Sequence, residues 1–300
     1  MTEHEKKAIV IAAFGATHPK ALGAISGMAE KVRKSFPELE VRIAFTSNII
    51  RKIWHKRRTD KDLIAAYGDM LREFFYVKGP LATIADLQDE GFRTIIVQPT
   101  HIYAGEEFFD LVSYINGLNS IKTVKPRYLP FRKLVVGRPL LGMPGPLYDY
   151  HKDMIAVAKA LAPDVELVRK DNAALVYMGH GNKFYSTGVY SEFQEVMRGM
   201  YPETPVFVGT VEGFPGLDIV MDGLVHIGAD RVVLVPFMMV AGDHAHNDMA
   251  GDRADSWKSV MCSRGIRVAC VLRGLGESPG IQAIFIQHIR EVAEDHSISL

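Results

Sequence analysis

Short runs of Val, Ile and other apolar residues alternate with longer stretches whose apolar positions recur at helical spacing. That alternation predicts βαβ units and a parallel sheet rather than hairpins. The first half predicts strands over 8–14, 41–45, 94–99 and 133–137, with helices near 20–35 and 106–118. The second half predicts strands over 173–178, 205–209, 231–236 and 266–272. Helices near 147–162, 186–200, 216–227, 245–263 and 279–295 lie between and after them. The expected fold class is α/β, divided into an N-terminal lobe over 1–142 and a C-terminal lobe over 143–300, with the last helix able to pack back on the first lobe.

The two halves read as a duplication. T-I-I-V-Q-P-T-H-I-Y-A-G-E-E-F-F-D-L (94–111) parallels R-V-V-L-V-P-F-M-M-V-A-G-D-H-A-H-N-D (231–248). In that register the Ala-Gly pairs coincide, Glu107 stands opposite His244 and Asp110 opposite Asn247. The expectation is two similar lobes, each a small parallel sheet flanked by helices. An interdomain cleft between them would be a favoured place for a ligand.

Three residues then stand out at strand ends. His180 lies in A-L-V-Y-M-G-H-G-N, Glu212 in V-F-V-G-T-V-E-G, and His244 in V-V-L-V-P-F-M-M-V-A-G-D-H. Each follows an apolar run of strand length where the run gives way to Gly. The carboxyl ends of parallel strands share one edge, and ligands bind there. Two imidazoles and a carboxylate brought to that edge suit a borderline divalent metal ion. Taken singly, each has an ordinary reading: a satisfied core histidine, or a carboxylate paired or hydrogen-bonded at a strand end. His246 and Asp243 flank His244, so local sequence does not choose the ligand. His246 reads as a partner of a ligand or as a residue of a first helical turn. Asp248, Asp252 and Asp255 recur at i, i+4 and i+7, the pattern of a solvated helix face.

Charge narrows the partners. Lys+Arg and Asp+Glu each total 35. A neutral chain offers no electrostatic case for nucleic acid or a membrane surface. One dense basic segment, T-S-N-I-I-R-K-I-W-H-K-R-R (46–58), carries Arg51, Lys52, His55, Lys56, Arg57 and Arg58. It reads either as a solvated helix face or as a rim that holds substrate carboxylates, with Asn48 as the helix cap. Cys262 and Cys270 are the only cysteines, too few for a thiolate zinc site. Cys270, inside R-V-A-C-V-L, is expected in the core. Residues 1–7 hold no hydrophobic signal region and no apolar run reaches membrane length, so the chain is expected to be soluble and cytoplasmic. A homo-oligomer is compatible with the sequence.

Familiar motifs are missing. There is no G-x-x-x-x-G-K-[ST] phosphate loop, no G-x-G-x-x-G, no G-x-S-x-G and no H-E-x-x-H, so no nucleotide is implied. His101, in Q-P-T-H-I-Y-A-G-E-E, follows a strand end and is expected to contact substrate or cofactor.

The chain resembles the anaerobic cobaltochelatases that insert Co²⁺ into sirohydrochlorin. The resemblance runs nearly end to end, through I-V-I-A-A-F-G, A-F-T-S-N-I-I, Q-P-T-H-I-Y-A-G-E-E, M-G-H-G-N, V-G-T-V-E-G and M-V-A-G-D-H-A-H-N-D-M-A-G-D. It implies the class II chelatase fold, with His180, Glu212 and His244 as metal ligands and catalytic residues on the C-terminal lobe. Arg51, Lys52, His101 and Glu107 are the expected substrate contacts. Some relatives bind haem through the histidine at the position of His101, which leaves haem open here. Co²⁺ enters as the substrate metal and sirohydrochlorin, or precorrin-2, as the tetrapyrrole, without ATP, in anaerobic cobalamin synthesis. The competing expectations are iron insertion by a sirohydrochlorin ferrochelatase and a non-catalytic bilobed metal-binding protein; Fe²⁺ and Ni²⁺ accept the same donors.

Overall fold

The computed structural model describes residues 5–145, 148–183 and 187–300, with the backbone alone at Asp69 and Met70. The readings made for residues 1–4 and the helix starts expected at 147 and 186 lie outside the described residues. Contacts divide the chain into two units, Met1–Leu140 with Gln282–Leu300, and Leu141–Ile281.

The first unit contains β1 (Lys7–Ala13), α1 (Leu22–Ser35), β2 (Glu40–Phe45), α2 (Asn48–Arg57), α3 (Lys61–Leu71), α4 (Pro80–Asp89), β3 (Thr94–Pro99), α5 (Glu106–Asn119) and β4 (Lys133–Val136). Its four strands are all parallel, in the order β2-β1-β3-β4. β1 is buried from Ala8 to Ala13, which is why it reads as a continuous apolar run rather than an alternating one. Ala8, Val10 and Ala12 pack with Ile95 and Val97 against Ile84, Leu87, Leu111 and Ile115 of α4 and α5.

The long connection between β2 and β3 holds α3 and α4, which strand-helix alternation did not predict. α2 is capped by Ser47, not by the expected Asn48: the Ser47 hydroxyl accepts Ile50 N at 3.3 Å from an extended backbone. Asn48 Oδ1 accepts instead from the Arg51 guanidinium. Trp54 anchors this helix, buried and donating Nε1–H to Ala16 O at 2.7 Å.

The second unit contains α6 (His151–Ala160), α7 (Ala162–Lys170), β5 (Ala174–Gly181), α8 (Gly188–Met200), β6 (Val206–Glu212), α9 (Leu217–His226), β7 (Arg231–Phe237), α10 (Trp257–Ser263) and β8 (Arg267–Cys270). α11 (Pro279–Asp295) crosses the division between the units. The strand order is β6-β5-β7-β8, again wholly parallel. Position for position this is the topology of the first sheet, as the internal repeat predicts. Val176, Met178 and Leu234 pack with Val220, Leu224, Trp257 and Met261.

Three expectations fail in this unit. No single helix spans 245–263. Instead a π-helix, His244–Met249, ends in a turn before α10. Gly251 lies so close to the Asn247 carbonyl that a Cβ would come within 2.3 Å of its oxygen. Ser256 then starts α10, its hydroxyl donating to Gly251 O and accepting Ser259 N. Asp248, Asp252 and Asp255 therefore share no helix face; they bond separately to His244, Lys258 and Arg253. Cys270 is half-buried rather than fully enclosed, because β8 is an edge strand. Burial still raises its thiol pKa. Among the described residues no helix is long and apolar enough to cross a membrane.

Candidate metal centre

In the second sheet, the chain passes from β5 outward to β6 and then back across to β7 on the other side of β5. The crevice between the carboxyl ends of β5 and β7 is therefore the topological switch point, where an open parallel sheet binds ligands. His180 is the penultimate residue of β5, and His244 opens the π-helix after β7. Their rings meet edge to face, with centroids 4.7 Å apart and planes at 82°. Residues 64 positions apart in the chain are thus paired by strand order alone.

Each ring is held at the same nitrogen. His180 Nδ1 lies 3.0 Å from the Gly181 carbonyl oxygen. His244 Nδ1 lies 2.6 Å from Asp248 Oδ2. Carbonyl and carboxylate oxygens only accept, so in a neutral ring Nδ1 carries the hydrogen and Nε2 the lone pair.

The backbone around them is unusually tight. Gly181 has φ +77°, and a Cβ there would fall 1.7 Å from the Glu212 carbonyl oxygen. Gly213 has φ +86°, and a Cβ there would fall 2.4 Å from the Asn182 oxygen. Asn182 N–H completes the seam by donating to Glu212 O at 3.1 Å. The glycines of M-G-H-G-N and V-E-G thus serve the close approach of two loop backbones.

Glu212 itself is registered with Gly181, one residue beyond His180. Side chains alternate along a strand, so this offset puts the carboxylate out of phase with the imidazole. Its Oε1 lies instead 3.4 Å from Lys183 Nζ. Among the described residues no three His, Cys, Asp or Glu side chains converge on a common ion position. The structure brings together two of the three expected ligands and leaves the third on a lysine.

The expected substrate contacts belong to the first unit. Arg51 is half-buried, with Nη1 on the Phe45 and Thr46 carbonyls and Nη2 on Asn48, and loss of hydration lowers its pKa. Its guanidinium braces the end of β2 rather than facing outward for a carboxylate. Arg57 is likewise engaged, bonded to Thr17 O and lying over the Trp54 ring. Lys52, Lys56 and Arg58 are the exposed cations of this segment. Glu107 sits in the first turn of α5 beside Glu106, favourable against the helix dipole.

His101 follows β3, with Nε2 3.5 Å from Thr46 Oγ1. Its Nδ1 is buried with no hydrogen-bond partner among the described residues, and loss of hydration depresses its pKa to about 4. It is therefore a neutral imidazole at ordinary pH.

In the sequence Asp248 is masked by its row with Asp252 and Asp255, whereas in the structure it is the partner of His244. The available signal was the four-residue spacing from His244, the reach of a helical side-chain pair.

Fold and site together define a class: a parallel α/β protein of two repeated units, the second carrying two imidazoles in edge-to-face contact at its switch point. The cobalt chelatase (CbiK) family model matches residues 7–294, and the chain belongs to that family. The sirohydrochlorin cobaltochelatase of Salmonella typhimurium is 31% identical over 288 residues, covering 95% of this chain and 96% of that protein. The sirohydrochlorin cobaltochelatase CbiKC of Nitratidesulfovibrio vulgaris is 32% identical over 284 residues, covering 95% and 89%. Among solved structures, the sirohydrochlorin chelatase SirB from Bacillus subtilis subspecies spizizenii, in complex with cobalt, superposes with a TM-score of 0.58. It is 14% identical and covers 97% of each chain, a likeness that shows the fold.

Proposed function

We propose that this protein inserts Co²⁺ into sirohydrochlorin without ATP, in anaerobic cobalamin synthesis, with His180 and His244 as the metal-holding and catalytic pair. The observation that carries the reading is the pair itself: two rings 4.7 Å apart at the switch point, each held at Nδ1. Family membership and full-length relatives named for that reaction support it.

The chemistry follows from the donor set. Insertion exchanges two pyrrole N–H protons for one Co²⁺, so charge balances with release of two protons. An ion held by imidazole and carboxylate donors, with open positions, can be surrendered to four ring nitrogens; a thiolate cage would retain it. Glu212 is the third donor in this reading. Its ion pair with Lys183 is largely exposed and holds it only weakly, about 0–1 kcal/mol. An arriving dication would draw the carboxylate away. As ring nitrogens displace the imidazoles, a released Nε2 accepts a pyrrole proton as general base. Lys52 remains a candidate for a macrocycle carboxylate. Arg51 acts in this reading by shaping the β2 end, and His101 and Glu107 as contacts near it. No step depends on haem.

The test is spectroscopic: purified protein with sirohydrochlorin or precorrin-2, challenged in turn with Co²⁺, Fe²⁺ and Ni²⁺. Co²⁺ insertion that collapses in His180→Ala and in His244→Ala is expected. Wild-type rates in both variants would overturn the assignment. Metal binding without turnover would favour the carrier reading, and a preference for Fe²⁺ the ferrochelatase.

A further inference from the structure

We propose that Asp248 is the positioning residue of this centre: by accepting the Nδ1–H of His244 it sets that imidazole's tautomer and ring plane, so that Nε2 is the atom offered to a divalent cation. This rests on the reading of His180 and His244 as ligands. It extends that reading to a side chain outside the expected ligand set.

Three features of the structure carry it. The first is the bond itself, 2.6 Å between Nδ1 and Oδ2, a charge-assisted contact to a group that can only accept. In water a neutral histidine side chain prefers its hydrogen on Nε2, the wrong nitrogen for ligation through that atom. A carboxylate on Nδ1 reverses the preference.

The second is the anchoring of both partners. Ala245 and Met249, the residues directly after His244 and Asp248, are fully buried in the core of the second unit. Ala250 N–H donates to Ala245 O at 3.1 Å, five residues back, closing the wide turn that carries the pair. The backbone beneath His244 and Asp248 is therefore fixed by packing, and only their side chains look outward. Wide turns of this kind occur often at functional sites.

The third is the contrast with the other imidazole. His180 is held by the Gly181 carbonyl, a backbone group that no substitution removes. The lock on His244 is a side chain. The neighbouring carboxylates Asp252 and Asp255 are bonded to Lys258 and Arg253 and do not share it. Carboxylate partners of metal-bound histidines typically contribute about 10–100-fold in metal affinity or activity.

The experiment reads tautomer and metal affinity separately in the full-length chain. Long-range ¹H–¹⁵N correlation spectra of the metal-free, histidine-labelled protein report which ring nitrogen of His244 bears the hydrogen, with His244→Ala supplying the assignment. Calorimetric titration with Co²⁺ gives affinity. The wild-type protein should show the Nδ1–H form. Asp248→Ala should move His244 toward the Nε2–H form and weaken Co²⁺ binding by about 10–100-fold. It should leave KM for the macrocycle unchanged. Asp248→Glu should recover part of both effects, and Asp255→Ala, on an exposed pair, should change neither. The near-isosteric Asp248→Asn keeps a folded sample in hand should the alanine variant unfold, and should also weaken Co²⁺ binding. An unchanged tautomer and wild-type Co²⁺ affinity in the Asp248 variants, with binding lost in His244→Ala, would overturn the positioning role and leave the metal centre standing. Wild-type Co²⁺ binding in both His180→Ala and His244→Ala would overturn the centre and the positioning role together.

Discussion

The two units share a strand order, yet they end their corresponding strands differently. In the first, β3 runs through His101 into α5, a regular helix of 14 residues opened by Glu106 and Glu107. In the second, β7 runs into a six-residue π-helix opened by His244. The repeat places Glu107 and His244 at the same point, but their surroundings diverge. One histidine of the first unit is enclosed at Nδ1, neutral and bonded only weakly to Thr46. Two histidines of the second unit face each other, each with Nδ1 on an oxygen acceptor. A duplicated sheet thus supplies two equivalent switch points, and the residues after the strands decide which of them carries facing imidazoles.

The sharpest way to break that comparison is to delete the imidazoles on each side. His180→Ala or His244→Ala should lower the rate of Co²⁺ insertion by about 100-fold or more. His101→Ala should lower it by less than tenfold. Equal losses would mean that the units divide the work.

Next in size is the tight seam of the second unit. Gly181→Ala must accommodate both a left-handed φ and a Cβ 1.7 Å from a backbone oxygen that cannot swing aside. A loss of at least about 4 kcal/mol in urea unfolding is expected, in the range reserved for severe strain. An unfolding midpoint close to wild type would show that the seam can open.

The enclosed histidine gives a pH test specific to the first unit. Folded His101 titrates at about 4, against roughly 6.5 in an unfolded chain. The unfolded state therefore binds more protons across that window. Stability is complete above about pH 6.5 and declines as pH falls toward 4, by up to about 3 kcal/mol from this group. Urea midpoints at pH 7.5 and 4.5 should converge for His101→Gln relative to wild type, and an unchanged slope would place the acid sensitivity elsewhere.

The smallest effect is the counterpart of the Gly181 change. Gly117, in α5, has open space where a Cβ would go. Gly117→Ala should stabilise by about 0.5–1 kcal/mol. A thermal melt that shifts downward would contradict a regular helix there.

Much of this was written in the chain. Parallel strands covered on both faces demand continuous apolar runs, so Ala-Ile-Val-Ile-Ala-Ala and Leu-Val-Tyr-Met declared β1 and β5 without reference to anything distant. Residues at the carboxyl ends of such strands reach one edge by topology, which is why His180 and His244 could be nominated together. The duplication was visible because both halves repeat the same strand-Ala-Gly-acid pattern.

Other features depended on contacts that no local pattern encodes. Glu212 faces Lys183 because its register with Gly181 offsets it by one residue from His180. Arg51 is drawn in by three acceptors at the end of β2. Asp248 separates from its apparent row because Gly251 and Ser256 break the helix after one wide turn. Apolar periodicity determines which elements form and which faces they bury, since that energy scales with area and is nearly directionless. The state of each polar group depends on single directional partners a few ångströms away, and only the folded chain brings those partners within reach.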